Sequence, residues 1–291
     1  MSSFFRYPGG KAKLCGRILH HLSRLMDDSI TQYRELFFGG GSVGIKYVQK
    51  KECPKQIWLN DKDVGIACLW TSVIRYPDSL KKLVLAYKPT VDSFYQLKND
   101  LLNTTSVPDT EEEVAQVGFN KLALHQITYS GLGLKSGGPL GGVAQLSKYK
   151  VDCRWSPAYI CKKINTVHKV FSNKEVIHEA CTSYDFEKII TDTSMKALLY
   201  LDPPYFVKGS QLYHESFTHQ DHTRLCENLK NTQHKWLLSY DACEEIKEMY
   251  SWATIEEVEV NYSITASKDT ATGARQSRTK KEFFIYPSIT T

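Results

Sequence analysis

Short apolar runs that end in polar residues constrain the fold of this chain most strongly. YRELFF (residues 33–38), KQIWLND (55–61) and KALLYLD (196–202) are three of them, and KWLLSYD (235–241) has the same form. Such runs, without regular polar alternation, are typical of parallel strands covered on both faces. Helical segments such as VGIKYVQKK (43–51) lie between them. The alternation predicts an α/β fold with a doubly wound, mostly parallel sheet, and KEFFIYP (281–287) is expected to be its last strand.

The region from 71 to 164 has a different pattern. VDSFYQLKNDLLN (91–103) and EEEVAQVGFNKLALHQI (111–127) have helical periodicity, and TYSGLGLKSGGPLGG (128–142) is rich in glycine. Glycine at this density favours a hairpin or a tight loop. We interpret residues 71–164 as an inserted lobe, and residues 1–70 and 165–291 as two parts of one core.

Length and composition agree with this organisation. A chain of 291 residues can form a core domain with an insertion, and no apolar segment has the roughly 20 residues of a membrane helix. The N-terminal residues lack the apolar stretch of a signal peptide, and the eight cysteines are scattered without a C-x-x-C pair. We therefore expect a cytoplasmic protein with free thiols. The net charge of +5 is compatible with a polyanionic partner.

Histidines and a cysteine between 214 and 226 are the most obvious candidates for metal ligands: His214, His219, His222 and Cys226. DHTRL (221–225) is better explained as the first turn of a helix, because its acid would lie near the helix amino end. The sequence therefore predicts no metal site.

A glycine loop follows the first predicted strand. FFGGGSVG (37–44) contains Gly39-x-Gly41-x-x-Gly44, and Asp61 ends the next strand about 20 residues later. This order predicts a site for a ligand that contains adenosine, since the acid binds ribose hydroxyls. It does not separate a nicotinamide cofactor from S-adenosylmethionine. Lys11, in RYPGGKAKL (6–14), is a candidate for contact with an anionic group, although the segment is not a Walker loop.

LDPPYF (201–206) predicts the chemistry. Asp202 ends a predicted strand, and Pro203 and Pro204 lack backbone N–H groups, so the segment offers only hydrogen-bond acceptors. Such a segment suits a substrate amino group, and the ring of Tyr205 offers a face on which a planar base can stack. Acceptance of both amine hydrogens would free the nitrogen lone pair for attack on the methyl group of a sulfonium ion. This step depends on positioning and electrostatics and needs no metal.

These motifs together resemble those of the Dam-like (D12 class) adenine-N6 DNA methyltransferases. RYPGGK, FFGGGSVG, LND and LDPPYF match the family's motifs in order, and the resemblance covers most of the chain. It implies S-adenosylmethionine as the methyl donor and a flipped-out adenine as the acceptor. By position, the implied donor contacts are Tyr7, Lys11, Phe38, Gly39, Gly41, Asp61, Asp185 and Asp202. Asp202, Pro203 and Tyr205 are the implied catalytic residues.

The resemblance also implies a double-stranded DNA substrate. The expected DNA contacts are Tyr129 and Lys135 in the glycine-rich segment and Arg275, Arg278, Lys280 and Lys281 in a basic segment near the C-terminus. Ser130 stands where the family often has asparagine, so the sequence predicts adenine as the target but not GATC as the site. We expect a monomer whose only link to a restriction endonuclease is functional.

Two other activities remain open from the sequence. An amino-methyltransferase with an RNA or protein substrate would use the same chemistry, although the inserted lobe and basic segment favour DNA. A nicotinamide oxidoreductase would account for the glycine loop, but it has no use for the Asp-Pro-Pro-Tyr segment.

Overall fold

The computed structural model describes residues 4–206, 217–262 and 278–288. In this part of the chain the strands are β1 (Gln32–Glu35), β2 (Gln56–Asn60), β3 (Glu175–Thr182), β4 (Ala197–Leu201), β5 (Lys235–Asp241), β6 (Thr254–Tyr262) and β7 (Arg278–Tyr286). They form one sheet in the order β3–β2–β1–β4–β5–β7–β6. β1 to β5 are parallel, and β7 lies antiparallel between β5 and β6. The predicted mostly parallel α/β sheet is confirmed.

The continuous apolar character of the predicted strands has a direct cause in the sheet. All five residues of β4 and the last four of β2 are buried, because side chains pack against both faces of the sheet. β1 is buried throughout as well, although three of its four residues are polar. One apolar cluster contains Tyr33, Ile57 and Leu198, and a second contains Trp58, Leu199 and Leu201. Neighbouring residues of one strand thus enter different clusters, as period-two side-chain alternation requires. β3 and β6 were not among the predicted strands.

The helices in the described residues are α1 (Cys15–Leu25), α2 (Gly44–Tyr47), α3 (Val64–Arg75), α4 (Pro77–Ala86), α5 (Val91–Asn103), α6 (Glu111–Ile127), α7 (Pro157–Phe171), α8 (Phe186–Ile190), α9 (His219–Asn231) and α10 (Glu244–Met249). Several begin at a side-chain cap. Asp63 accepts a hydrogen bond from the Ile66 amide at the start of α3, and Thr218 and Asp221 form a reciprocal capping box at the start of α9.

Two predicted helices of the 71–164 region match α5 and α6, and both begin after a threonine cap. α6 packs against α3, α4 and α5. The predicted helix at 43–51 is shorter in the structure, where α2 ends at Tyr47. The division into a core and a recognition lobe stays a prediction, and α3 and α7 run across its two boundaries.

The glycine-rich segment after α6 is a tight loop rather than a two-stranded hairpin. It contains two short 3₁₀ turns, Tyr129–Gly131 and Gly133–Lys135, followed by further turns. A single antiparallel bridge joins Thr128 to Pro139, and the Leu140 amide donates to the Ile127 carbonyl at 2.8 Å. The bridge brings the two ends of the segment together at the end of α6.

Within the described residues, no helix is both long and apolar enough to cross a bilayer, and no three His, Cys, Asp or Glu side chains form a cluster suited to a metal ion. His222 instead shares a hydrogen bond with the Tyr240 hydroxyl, and the Cys226 thiol donates to the Met249 carbonyl at 3.2 Å. All eight cysteines are free.

Candidate active site

A cleft opens at the carboxyl ends of β1, β2 and β4, where parallel α/β sheets bind ligands. Its empty volume is about 1280 Å³, including space open to solvent. The cleft is lined by seven of the residues predicted for the ligand site: Tyr7, Lys11, Phe38, Gly39, Asp61, Asp185 and Asp202. The structure therefore brings the four sequence motifs to one place.

The glycine loop has the shape that the fingerprint predicts. Gly39 and Gly41 have φ values of +46° and +65°, which other residues rarely adopt. A Cβ on Gly39 would lie 2.7 Å from the Tyr7 ring, and one on Gly41 would lie 2.5 Å from Trp70. The Trp70 indole N–H donates to the Gly39 carbonyl at 2.8 Å. Gly41 thus supports the turn without lining the cleft, whereas Gly39 forms part of its wall.

Asp61 is fixed at the end of β2 by two backbone amides. Gly39 N donates to its Oδ2 at 2.7 Å, and Asp63 N donates to its Oδ1 at 3.0 Å. Burial raises the pKa of Asp61 to about 7, and the neighbouring Asp63 carboxylate adds to the increase. The carboxyl group therefore changes protonation near neutral pH and remains placed to accept hydrogen bonds from a ligand in the cleft.

α6 contributes two buried polar residues to the cleft that the sequence analysis missed. The Lys121 ammonium pairs with Asp63 at 2.5 Å, and only 4% of the lysine side chain is exposed. Nδ1 of His125 donates to the Gly131 carbonyl at 2.7 Å, which ties α6 to the glycine-rich loop. Burial lowers the pKa of His125 to about 3, so its ring is neutral. Their spacing of four on one helix is the signal that they share a face, but it does not indicate which site they face.

Asp202 lies at the end of β4, and one of its carboxylate oxygens already contacts other side chains of the protein. Its Oδ1 lies 2.6 Å from the Lys11 ammonium and accepts a hydrogen bond from Ser239 Oγ at 3.0 Å. Among the described residues, no hydrogen bond reaches Oδ2. Burial raises the pKa of Asp202, although the Lys11 charge opposes the increase and Glu282 adds to it. The anion that Lys11 faces is thus one of the protein's own carboxylates.

Tyr205 is held by its hydroxyl. The Lys11 ammonium donates to Tyr205 Oη at 2.5 Å, and Oη donates to Glu282 Oε2 at 2.8 Å. The segment after the two prolines is fixed as well, because the Phe206 amide donates to Asp241 Oδ1 at 3.0 Å. Pro204 lines the cleft beside Asp202. Glu282 and Ser239 are further residues of this arrangement that the sequence analysis did not identify.

Asp185 also lines the cleft and caps the start of α8. Its Oδ1 accepts a hydrogen bond from the Glu187 amide at 3.1 Å and lies 2.7 Å from an Arg224 nitrogen. Phe37 and Phe186 line the cleft beside it, with ring centroids 6.2 Å apart. Phe38 also contacts the cleft, but it is buried against Trp70 at a centroid distance of 4.6 Å. The aromatic wall of the cleft is therefore formed by Phe37 and Phe186 as well as by the predicted Phe38.

The predicted DNA contacts of the glycine-rich segment do not line the cleft. Tyr129 is 71% exposed, and Lys135 is exposed at the end of the second 3₁₀ turn. Leu132 and Leu134 from the same loop line the cleft, so the loop connects the cleft to the outer surface.

On β7, Lys280 and Lys281 are exposed, and Lys281 pairs with Glu257 at 2.7 Å. The backbone of Arg278 starts β7, whereas its side chain and all of Arg275 lie outside the described residues. The structure therefore does not bring the two halves of the predicted DNA surface together through any contact that it describes.

Comparison with known proteins identifies the family of this chain. Residues 7–264 match the family model described as D12 class N6 adenine-specific DNA methyltransferase. The chain is also 22% identical over 265 residues to the type II methyltransferase M1.LlaDCHI of Lactococcus lactis subsp. cremoris. That alignment covers 88% of this chain and 87% of the relative. The matched segment contains every sequence-predicted cleft residue.

Proposed function

We propose that this chain, which belongs to the D12 class of N6 adenine-specific DNA methyltransferases, transfers a methyl group from S-adenosylmethionine to N6 of an adenine that has left the DNA helix. The observation that carries the proposal is the arrangement around Asp202. Lys11 and Ser239 hold one oxygen of this carboxylate, and the other faces no described hydrogen-bond donor. A buried acceptor of this kind fits an amino group that must be oriented for attack.

The cleft has residues that fit each part of the methyl donor. The Asp61 carboxylate is placed to accept hydrogen bonds from a ribose diol, and Phe37 and Phe186 offer an apolar aromatic wall for an adenine ring beside Asp185. When bound, S-adenosylmethionine supplies an electrophilic methyl group on a cationic sulfur. The buried carboxylates of the cleft favour that positive charge, because charge interactions are stronger where water is excluded.

Asp202 and Pro203 act on the substrate amine in this proposal. The free oxygen of Asp202 and the carbonyl of Pro203 accept its two hydrogens, which orients the nitrogen lone pair. An adenine inside a duplex cannot reach the cleft, so the base must leave the helix. Tyr205 then supplies the ring face on which it stacks. Its hydroxyl contacts with Lys11 and Glu282 support this role because they fix the ring before a base arrives.

Recognition of DNA is assigned to the glycine-rich loop and to the basic residues of β7. The loop reaches from the cleft, through Leu132 and Leu134, to the exposed Tyr129 and Lys135. This supports a role in the choice of sequence next to the flipped base. Lys280 and Lys281, with Arg275 and Arg278, are proposed to contact phosphates, which would make binding weaken with salt. On this proposal, residues 71–164 form the target-recognition lobe.

We propose the cellular setting by analogy with the family and the relative. The Lactococcus protein is named a type II methyltransferase, and we propose by analogy a restriction–modification context for this chain. The enzyme then works as a cytoplasmic monomer that shares a recognition site with a nuclease without forming a stable complex. Among alternatives, transfer to an RNA amine is the nearest, since it would use the same cleft.

The deciding experiment is to map N6-methyladenine in the DNA of host cells that lack adenine methylation and express the protein. We expect methylation at one short motif, which Lys135→Ala relaxes. The Lys280→Ala and Lys281→Ala double variant should keep the motif, and its DNA affinity should depend on salt with a slope shallower by about two. Methylated adenine in RNA alone would favour the RNA alternative, and calorimetric binding of NAD instead of S-adenosylmethionine would favour an oxidoreductase.

A further inference from the structure

Glu282 is a buried carboxylate beside the catalytic segment that no motif of the sequence indicates. We infer that it is a positioning residue, which holds the Tyr205 ring and the Lys11 ammonium in the arrangement that leaves Asp202 free to accept the substrate amine. The inference rests on the proposed function, because it assigns Tyr205 and Asp202 the roles argued above. It adds a residue of the antiparallel strand β7 to a site in which Asp61 and Asp202 follow parallel strands.

The backbone of Glu282 is fixed on both sides. In the sheet it is paired with Asp241 of β5 and with Val258 of β6, since β7 lies between those strands. Only 4% of its side chain is exposed. A carboxylate on a strand paired on both sides has little freedom to move, and its burial without partners would be strongly unfavourable. Its contacts are therefore part of the built structure of the site.

The contacts of Glu282 form a continuous chain to Asp202. Tyr205 Oη donates to Glu282 Oε2 at 2.8 Å and accepts from the Lys11 ammonium at 2.5 Å. The ammonium lies 3.8 Å from Glu282 Oε2 and 2.6 Å from Asp202 Oδ1. One lysine thus serves two buried carboxylates, and the tyrosine hydroxyl bridges the lysine and the more distant carboxylate.

This arrangement has two consequences for the reaction. The Tyr205 ring is anchored at its hydroxyl and by the two preceding prolines, so a base meets a face that is already oriented. The Glu282 carboxylate also interacts with the Lys11 ammonium, so this lysine neutralises the charge of Asp202 less completely. Loss of the Glu282 charge would pair Lys11 with Asp202 alone and weaken the acceptor that the amine needs.

Single-turnover methylation with purified protein tests the inference. Glu282→Leu removes the charge and the hydrogen bond, and we expect the rate to fall at least about tenfold, because small misplacements of catalytic groups are costly. Glu282→Gln keeps an acceptor for the tyrosine hydroxyl, so its single-turnover rate should fall less. Tyr205→Phe combined with Glu282→Leu should be no slower than the slower single variant, since both act through one contact. Independent, multiplying effects would overturn the inference.

The pH profile separates positioning from a general effect on folding. The groups that face the Asp202 carboxyl include Lys11 from the N-terminal loop, Glu35 at the end of β1, Tyr200 on β4 and Glu282 on β7. Glu282 acts to raise the pKa of Asp202, so Glu282→Gln should move the acid limb of the single-turnover rate to lower pH. A variant that only destabilises the fold would lower the whole profile without moving this limb.

A matched control is available on the adjacent strand. Glu256 of β6 pairs with His21 at 3.4 Å, 44% of its side chain is exposed, and Glu256→Gln makes the same chemical change away from the cleft. This control should keep the wild-type rate and acid limb. If wild-type protein methylates DNA and Glu282→Leu matches it in rate, Glu282 has no positioning role. If wild-type protein itself transfers no methyl group to DNA, the proposed function fails instead.

Discussion

Two buried lysine–aspartate pairs line the cleft, and their pair distances are nearly the same. Lys11 lies 2.6 Å from Asp202, and Lys121 lies 2.5 Å from Asp63. The lysine side chains are 3% and 4% exposed, and both aspartate side chains are 18% exposed. By distance and burial alone, the two pairs could not be assigned different roles.

The two pairs have different surroundings, and the pKa values of their carboxyl groups shift in opposite directions. Burial acts to raise the pKa of Asp63, but the Lys121 charge and hydrogen bonds from Lys121 and Ile66 outweigh it, so the pKa is lowered. Burial raises the pKa of Asp202, and Lys11 does not cancel the increase. Asp63 caps α3, and among the described residues it is the one ion-pair partner of Lys121, whereas Lys11 lies near both Asp202 and Glu282. The neighbours of an ion pair, rather than its length, decide between a structural and a reactive acid.

The two pairs should differ most clearly in their effect on catalysis. We expect Asp202→Asn to lower the single-turnover methylation rate about 10²–10³-fold, the range found when one preorganised group is removed from a reacting centre. Asp63→Asn should stay within a few-fold at saturating donor, because this acid touches no reacting atom in the proposed arrangement. Rapid-quench assays on both variants measure the contrast. Equal rate losses would show that the two pairs are not functionally distinct.

The second contrast is in stability. Lys121→Met leaves Asp63 buried without its partner, which should cost about 3 kcal/mol in the free energy of unfolding. Denaturant titration measures the loss. The double variant Lys121→Met, Asp63→Asn should recover part of it, because no unpaired buried charge remains.

The pH dependence of this loss has a defined sign. The folded pKa of Asp63 is lowered, so its stabilisation is present above its unfolded pKa of about 3.9 and disappears as pH falls through the folded value. The difference between wild type and Lys121→Met should therefore narrow in acid. A constant difference from neutral to acid pH would contradict the assignment of the loss to this ion pair.

The two pairs also show how far the sequence could predict the site. Lys11, Asp61 and Asp202 lie in short motifs whose residue order implies chemistry, and the cleft contains all three. Lys121 pairs with an acid 58 positions away, and Glu282 meets Tyr205 across 77 positions. Such contacts depend on how α6 and β7 pack, and no local pattern encodes that packing.

Most of the fold was predictable because, like the motifs, its strands and helices leave local patterns in the sequence. β2, β4 and β5 are mainly apolar runs, and the buried residues of α5 recur at helical spacing, whereas the buried residues of α6 lie around most of that helix. β3 and β6 escaped prediction because their residues are polar and half exposed. β3, for example, contains Glu175, His178 and Glu179, and the last two have positive φ values that interrupt regular strand geometry.

The smallest expected effect concerns Asp61, which lies beside Asp63 but resembles Asp202 in having a raised pKa. Because burial raises its pKa to about 7, Asp61 is protonated in part at neutral pH, and a protonated carboxyl accepts fewer hydrogen bonds from a ribose diol. We expect the affinity for S-adenosylmethionine to weaken about tenfold as pH falls from 8 to 6, roughly one charge-assisted hydrogen bond. Calorimetry at several pH values measures this.

Asp61→Asn should bind the donor more weakly and lose most of this pH dependence. The pKa of Asp61 is raised and that of Asp63 is lowered, so their contributions to stability change with pH in opposite directions. Because its folded pKa lies above the unfolded value, the contribution of Asp61 to stability is fully present below about pH 4 and is lost as pH rises through about 7. Asp61→Asn should therefore stabilise the ligand-free protein at pH 8 while it weakens donor binding. A variant that destabilised the ligand-free protein at pH 8 would mean that Asp61, like Asp63, is a structural acid, and the ribose assignment would lose its electrostatic support.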